Sequence, residues 1–299
     1  PDSAQQSLAR MQVGKGLKVE LVVAEPLISS PVAIDFGPDG KLWVAEMADY
    51  PLGAKGNYEP GGRIKLLQSS RGMSAAIPAG RADALYDKAT IFLDNIPFPT
   101  GVTAYGKGVL VCAAPDILYA EDTDGDGKAD IVKKLFTGVG TGNYQARVNS
   151  LEWSLDGWIY GSCGLYGGVI TSHTGKVVKL GDRDFRIKPE LGIIEPASGR
   201  TQQGRVRDDW ENWFGCDNTT LCRHYPLADH YLRRNPHVPQ PDVAVYVPDY
   251  PESNRLFPIS KQQLLKRSGP PARATAVCGL GIYRDDLLGQ EFQGNALMC

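Results

Sequence analysis

Several functional classes are excluded by what this chain does not contain. It has no excess of positive charge: 32 Lys and Arg stand against 34 Asp and Glu, a net charge of −2 over 299 residues. A phosphate backbone would meet no basic field, so nucleic acid is discounted as a partner. No apolar run approaches the roughly 18 residues that a membrane-spanning helix requires, and Pro1 to Arg10 lacks the charged and apolar regions of a signal peptide. That start is compatible with a cytoplasmic chain, a processed one, or a piece cut from a longer sequence. The six cysteines, at 112, 163, 216, 222, 278 and 299, form no CxxC, CxxCH or Cys/His zinc spacing. GxSxG and HExxH are missing, which removes the signatures of serine hydrolases and zinc proteases. The glycine-rich stretch Gly138 to Gly142 precedes a strand pattern instead of a helix, so it is no dinucleotide fingerprint. Amphipathic helical stretches of twelve or more residues are absent too, and a short helix is expected at Lys261 to Lys266.

What is present favours strands. The 34 Gly and 21 Pro, with 13 Tyr and 5 Trp, suit many short strands joined by tight turns, so the chain is expected to be all-β. One unit recurs three times: a strand, a turn closed by glycine, and a second apolar strand. The copies run over 31–46, 100–112 and 148–160, with turn glycines Gly40, Gly108 and Gly157. Their separations, 68 and 49 residues, bracket one four-stranded blade and predict a β-propeller. The second blade reads completely, with strands over 100–105, 109–113, 116–121 and 131–136. Leu17 to Ala24 is expected as an outer strand closing the ring, and residues 219–273 as a long extended insertion over one face. About four to five blades can be counted in 1–299, which points to a single propeller domain that is incomplete as given. Cys216 and Cys222 either bridge a loop in an oxidising compartment or remain buried thiols.

The densest motif is Asp122-Thr-Asp-Gly-Asp-Gly-Lys-Ala-Asp130. Carboxylates at alternate positions (Asp122, Asp124, Asp126), a glycine at the turn, a backbone carbonyl at Lys128 and a carboxylate at Asp130 match the first part of a calcium loop. Lys133 stands where an EF-hand carries its bidentate Glu, and strands replace the flanking helices. Structural Ca²⁺ is therefore expected between the third and outer strands of a blade.

In a propeller the loops after each second strand and before each inner strand share one mouth. The first set contributes Glu46, Asp49 and Tyr50, then Asp116, Cys163 and Tyr166, then Asp217 and Asn218. The second contributes Thr100, Gln145, Arg147, Asn149, Arg200 and Gln203. Acids, amides and arginines converging there suit a polyhydroxy compound or an anionic cofactor. The segment Cys222 to His237 packs His224, His230 and His237 among three arginines and offers a general base. Asn218-Thr-Thr220 fits a glycosylation acceptor by letter only.

A set of motifs also carries a family resemblance. Leu17-Lys-Val-Glu-Leu, Trp43-Val-Ala-Glu-Met, Gly61-Gly-Arg-Ile-Lys-Leu-Leu, Pro97-Phe-Pro-Thr-Gly-Val, the Asp122 loop, Gln145-Ala-Arg-Val-Asn, Asn212-Trp-Phe-Gly-Cys and His230-Tyr-Leu-Arg-Arg-Asn-Pro-His are its carriers. Together they resemble the N-terminal propeller of the membrane-bound dehydrogenases of Planctomycetes and Verrucomicrobia, which are similar to soluble quinoprotein glucose and sorbosone dehydrogenases. The resemblance implies a periplasmic or otherwise extracytoplasmic sugar or aldose dehydrogenase that uses pyrroloquinoline quinone. Electrons would pass to a c-type cytochrome domain not present in this chain. In that reading Arg147, Asn149, Arg200 and Gln145 hold the quinone, with His230 or His237 as base. Glu46, Asp49, Asp116, Asp217 and Asn218 then hold a small-molecule or carbohydrate substrate. Two other readings compete: a non-catalytic glycan- or protein-binding module, and a metal-dependent lactonase-like hydrolase with Glu46, Asn149 and Asp217 as ligands.

Overall fold

The computed structural model describes residues 2–70, 85–235, 237, 244–248, 250, 252, 254–257 and 272–299. It is mostly antiparallel β-structure, and it divides into two compact units, Pro1–Lys134 and Leu135–Cys299. The short helix expected at Lys261 to Lys266 lies outside the described residues, as does much of 219–273.

The first unit opens on helix α1 (Ala4–Arg10), which the sequence reading did not anticipate. Ser3 and Gln6 close a capping box around its first turn, satisfying two of the free N–H groups there. Strands β1 (Pro31–Phe36), β2 (Leu42–Glu46), β3 (Gly62–Gln68) and β4 (Lys88–Ile96) then form one sheet in sequence order. The β1–β2 turn needs Gly40, whose φ of 76° lies in the left-handed region. Every residue of β2 is buried, as befits a strand covered on both faces. A second meander follows, β5 (Gly101–Tyr105), β6 (Gly108–Ala113) and β7 (Asp116–Glu121), before β8 (Ile131–Val139) carries the chain onward. These spans agree within a few residues with the four strands expected over 100–136. At Gly108 a Cβ would stand 2.0 Å from the Ala120 carbonyl oxygen, so only glycine lets β6 and β7 approach so closely.

Both meanders of this unit feed one core. Trp43, Ile64 and Phe92 from the first pack with Val109, Val111 and Leu118 from the second, and Trp43 meets Phe92 edge-on with ring centres 4.7 Å apart. Leu17 to Ala24 forms no strand, contrary to expectation. Instead its Leu21 and Val22 carbonyls accept from the Leu85 and Tyr86 N–H groups, and Val23 packs against Leu42, Val44, Leu67 and Tyr86. Apolar alternation there reflects one side lying on this cluster, without a regular ladder.

In the second unit β9 (Asn149–Trp153) and β10 (Ile159–Ser162) form the third expected hairpin. An unanticipated hairpin, β11 (Gly168–Ser172) and β12 (Val177–Lys179), pairs with the end of β8. Strands β13 (Asp184–Lys188) and β14 (Ile193–Ala197) complete a four-stranded sheet with β10 and β9. Another sheet holds β15 (Val206–Arg207), β16 (Trp213–Asp217), β17 (Thr220–His224) and β18 (Val245–Tyr246), with helix α2 (Asp229–Leu232) between its last two strands. The described part of 219–273 thus supplies two sheet strands and a helical turn as well as extended chain. Finally β19 (Gly281–Ile282) pairs with β20 (Ala296–Leu297).

Leu110, fully buried in β6, and Val132, 48% exposed in β8, separate packing from surface effects. Leu110→Ala should cost about 2–5 kcal/mol through the cavity it leaves, and Val132→Ala within about 0.5 kcal/mol. Urea unfolding midpoints of the two variants check this.

Candidate functional site

The acids nominated for the mouth from the first unit, Glu46, Asp49 and Asp116, are all buried, and each is held by groups of that unit. Glu46 accepts from the Ser29 N–H at 2.6 Å and faces Lys65 Nζ and Arg63 Nε, each at 3.1 Å. Asp49 uses one carboxylate oxygen on the N–H groups of Phe98 and Gly61, at 2.8 and 3.2 Å, while its other oxygen is buried with no hydrogen-bond partner. Asp116 pairs with Lys134 Nζ at 2.8 Å. Tyr50, next to Asp49 in sequence, is exposed, and Thr100 is buried.

The acidic loop between β7 and β8 does gather. Single carboxylate oxygens of Asp122, Asp124 and Asp130 lie within 4.8 Å of one another, the one such group of three or more acidic, His or Cys side chains among the described residues. Asp122 accepts from the Gly125 and Gly127 N–H groups, and Asp130 from the Thr123 N–H and hydroxyl. Those bonds hold both carboxyls below the usual Asp range. Asp126 stands outside the group: one of its oxygens accepts from the Lys128 N–H at 2.7 Å and the other faces Lys128 Nζ at 3.9 Å. The three clustered carboxylates fit a hard cation by donor type and spacing.

In the second unit three nominated residues converge on one that was not, Gln202. Its side-chain amide donates to the Gln145 carbonyl at 3.3 Å and accepts from the Asn218 N–H at 3.1 Å, and its own carbonyl accepts from the Asn149 amide at 2.7 Å. Asn149 also donates to the Arg147 carbonyl and accepts from the Ser150 hydroxyl. Arg147, itself buried, donates to the Thr141 carbonyl at 2.7 Å and lies over the Tyr144 ring. These side chains tie the protein to itself. Of the donors expected for a quinone, Asn149 and part of the Arg147 guanidinium are engaged internally, and Arg200 and Gln145 are the exposed members. Asp217 closes the β16–β17 turn by accepting from Thr219 and Thr220 N–H groups and pairs with Arg223 at 2.5 Å. As lactonase ligands, Glu46, Asn149 and Asp217 are likewise each engaged within their own unit. Cys163 is buried beneath Asp184, and Tyr166 is exposed. Cys216 and Cys222 are free thiols, pushed up to about 12 and about 11 by burial in the apolar cluster they share with Val277 and Leu280.

A cleft of about 590 Å³ opens elsewhere in this unit. Tyr160 of β10, Arg186 of β13, Glu195 of β14, Arg205, Glu211, Trp213 of β16, Tyr225, and the α2 residues Asp229, His230 and Tyr231 line it. Its floor is organised by Arg205, whose guanidinium carbon lies 4.8 Å from the Trp213 ring centre, 5.4 Å from Tyr225 and 5.5 Å from Tyr160. Tyr160 and Trp213 stack with centroids 4.3 Å apart. Arg205 donates to the fully buried Asp184 at 2.7 Å, and Asp184 accepts further from the Thr201 hydroxyl and from the Thr201 and Cys163 N–H groups. Burial drives the Tyr225 phenol well above its ordinary pKa. On the wall, Arg186 grips Glu195 through two nitrogens, at 3.0 and 2.7 Å. Asp229 of α2 is held by Arg183 and Arg233, each at 2.8 Å, which fixes the short helix at the edge of the cleft. His230 is exposed there, its ring 4.0 Å from that of Tyr231. His237 is exposed but does not line the cleft.

Of the cleft residues, sequence reasoning nominated His230 alone. The others come from separate strands and loops over 160–231 with no fixed spacing. The available signal was a scatter of aromatics and arginines over several of these elements, which reads equally well as core and surface.

Residues 3–299 match the model of a family described as Domain of unknown function (DUF7133). No curated protein matches the chain.

Removing Arg205 should expose how much the cleft owes to its buried pair. Arg205→Met leaves the Asp184 charge buried and is expected to destabilise by about 3–5 kcal/mol, while Arg205→Met combined with Asp184→Leu recovers much of that loss. Chemical denaturation of the single and double variants measures both.

Proposed function

The chain belongs to the DUF7133 family, and because that description names no activity we propose a reading from its own residues: a carbohydrate-binding module whose ligand sits in the cleft of the second unit. Tyr231, 61% exposed on the same cleft as the Arg186–Glu195 pair, is the observation that carries it. A sugar offers apolar C–H faces that stack on aromatic rings, and hydroxyls that donate to carboxylates and accept from guanidinium groups. Three arginines (186, 205, 233) and three acids (Glu195, Glu211, Asp229) line the cleft, so it favours a neutral polyol over an ion of either sign. The four-stranded antiparallel sheets support reading the scaffold as propeller blades. A periplasmic or otherwise extracytoplasmic setting accords with such a ligand.

A second reading is favoured by one feature, the open His230 imidazole in that cleft. It makes the module a sugar dehydrogenase in which His230 takes the hydroxyl proton and pyrroloquinoline quinone, when bound, supplies the redox chemistry. A cytochrome domain would be its electron partner. Ca²⁺ at Asp122, Asp124 and Asp130 is the structural element of either reading: it would offset the repulsion among those carboxylates and brace the β7–β8 loop.

Neutral oligosaccharides screened by tryptophan fluorescence should include ligands that Tyr231→Ala and Glu195→Gln each weaken about tenfold or more, near 1.4 kcal/mol, with unchanged urea midpoints. A panel with no binder removes the carbohydrate reading. Dye reduction by the quinone-supplemented protein, lost in His230→Ala, would establish the dehydrogenase instead. Separately, Ca²⁺ should raise the thermal midpoint of the wild type and leave that of Asp130→Asn unmoved.

A further inference from the structure

Cys278 and Cys299 lie opposite one another beyond the last strand pair. β19 and β20 run antiparallel through Gly281↔Leu297 and Ile282↔Ala296. Beyond that ladder the Cys278 N–H donates to the Cys299 carbonyl at 3.0 Å, and the Cys299 N–H to the Cys278 carbonyl at 2.9 Å. Two residues that exchange both bonds are directly opposed, with Cα atoms about 5.5 Å apart and side chains on one face. A disulfide closes at Cα separations of roughly 4.4–6.8 Å. Both thiols are free, Cys299 exposed and Cys278 half-buried. Burial first, and the neighbouring Cys299 second, raise the Cys278 pKa.

The geometry points to Cys278 and Cys299 as a reversible cross-strand dithiol that a small-molecule disulfide such as oxidised glutathione converts to a disulfide bond. The exposed Cys299 thiolate attacks one sulfur of the oxidant, releasing one glutathione thiol and leaving a mixed disulfide on Cys299. Cys278, deprotonated, then attacks the Cys299 sulfur and expels the second glutathione. Two protein thiols are oxidised by two electrons and one glutathione disulfide is reduced to two thiols. An exposed bond of this kind is readily reduced again by excess dithiol. Its closure would secure Ile282 and Ala296, which line a second cleft of about 620 Å³ with Trp210 and Tyr283.

The test uses the full chain, first reduced, then incubated natively with oxidised glutathione, blocked with N-ethylmaleimide and digested without reduction. Mass spectrometry should find the Cys278 and Cys299 peptides joined, lighter than their sum by two hydrogens, and separate again after dithiothreitol. Oxidation should also raise the thermal midpoint by a few degrees, a rise that Cys299→Ser at its exposed position abolishes. Recovery of Cys278 and Cys299 as separate maleimide adducts or stable glutathione adducts, or of Cys278 joined to Cys216, overturns the proposal.

Discussion

Asp184 brings a full negative charge into the second unit, and four hydrogen bonds from three residues account for every acceptor position it has. Those bonds do more than stabilise a charge. They pin the Thr201 loop to β13, set Arg205 against Ser198, and so place the guanidinium among Tyr160, Trp213 and Tyr225. Gly199 has to be glycine for the loop to pass, since a Cβ there would stand 2.7 Å from both Asp184 and Arg205. Neutralising one buried carboxylate thus organises the floor of the cleft.

The same logic recurs in the first unit and explains why its acids face inward. Glu46 ends a strand whose every residue is buried, and two cations with one backbone N–H meet it there. Asp49 orders the chain around Phe98 and Gly61 by accepting from both. A buried charge must be met by donors or cations, and the residues that meet these come from strands and loops far away in sequence. Polar residues at strand ends therefore look alike in sequence whether they bind a ligand or lock a turn.

The carbohydrate reading gains from this distinction. Gln145, Asn149 and Asn218 do come together, yet around Gln202, with Arg147 joined to them through Asn149. The groups left open to solvent and framed by rings lie in the other cleft, where Tyr231 and His230 sit on a helical turn braced by Asp229. The resemblance to quinoprotein dehydrogenases points toward sugar chemistry, and the proposed carbohydrate reading keeps that ligand class.

Local pattern alone determined the recurring hairpins. Alternation and turn glycines marked the hairpins at 31–46, 100–112 and 148–160, because a hairpin's register depends on neighbours a few residues apart. The same holds for the Asp122 loop, whose three gathered carboxylates lie within nine residues of one another. Leu17 to Ala24 shows the limit, since its apolar residues pack without a ladder and nothing local distinguishes the two outcomes. What only tertiary structure decided was which paired polar groups are sealed and which face solvent: Arg205 and Arg186 both pair with acids, but one is buried among rings and the other stands half-buried on the wall of a cleft. That difference is set by burial and by partners brought from distant strands, and no spacing along the chain encodes it.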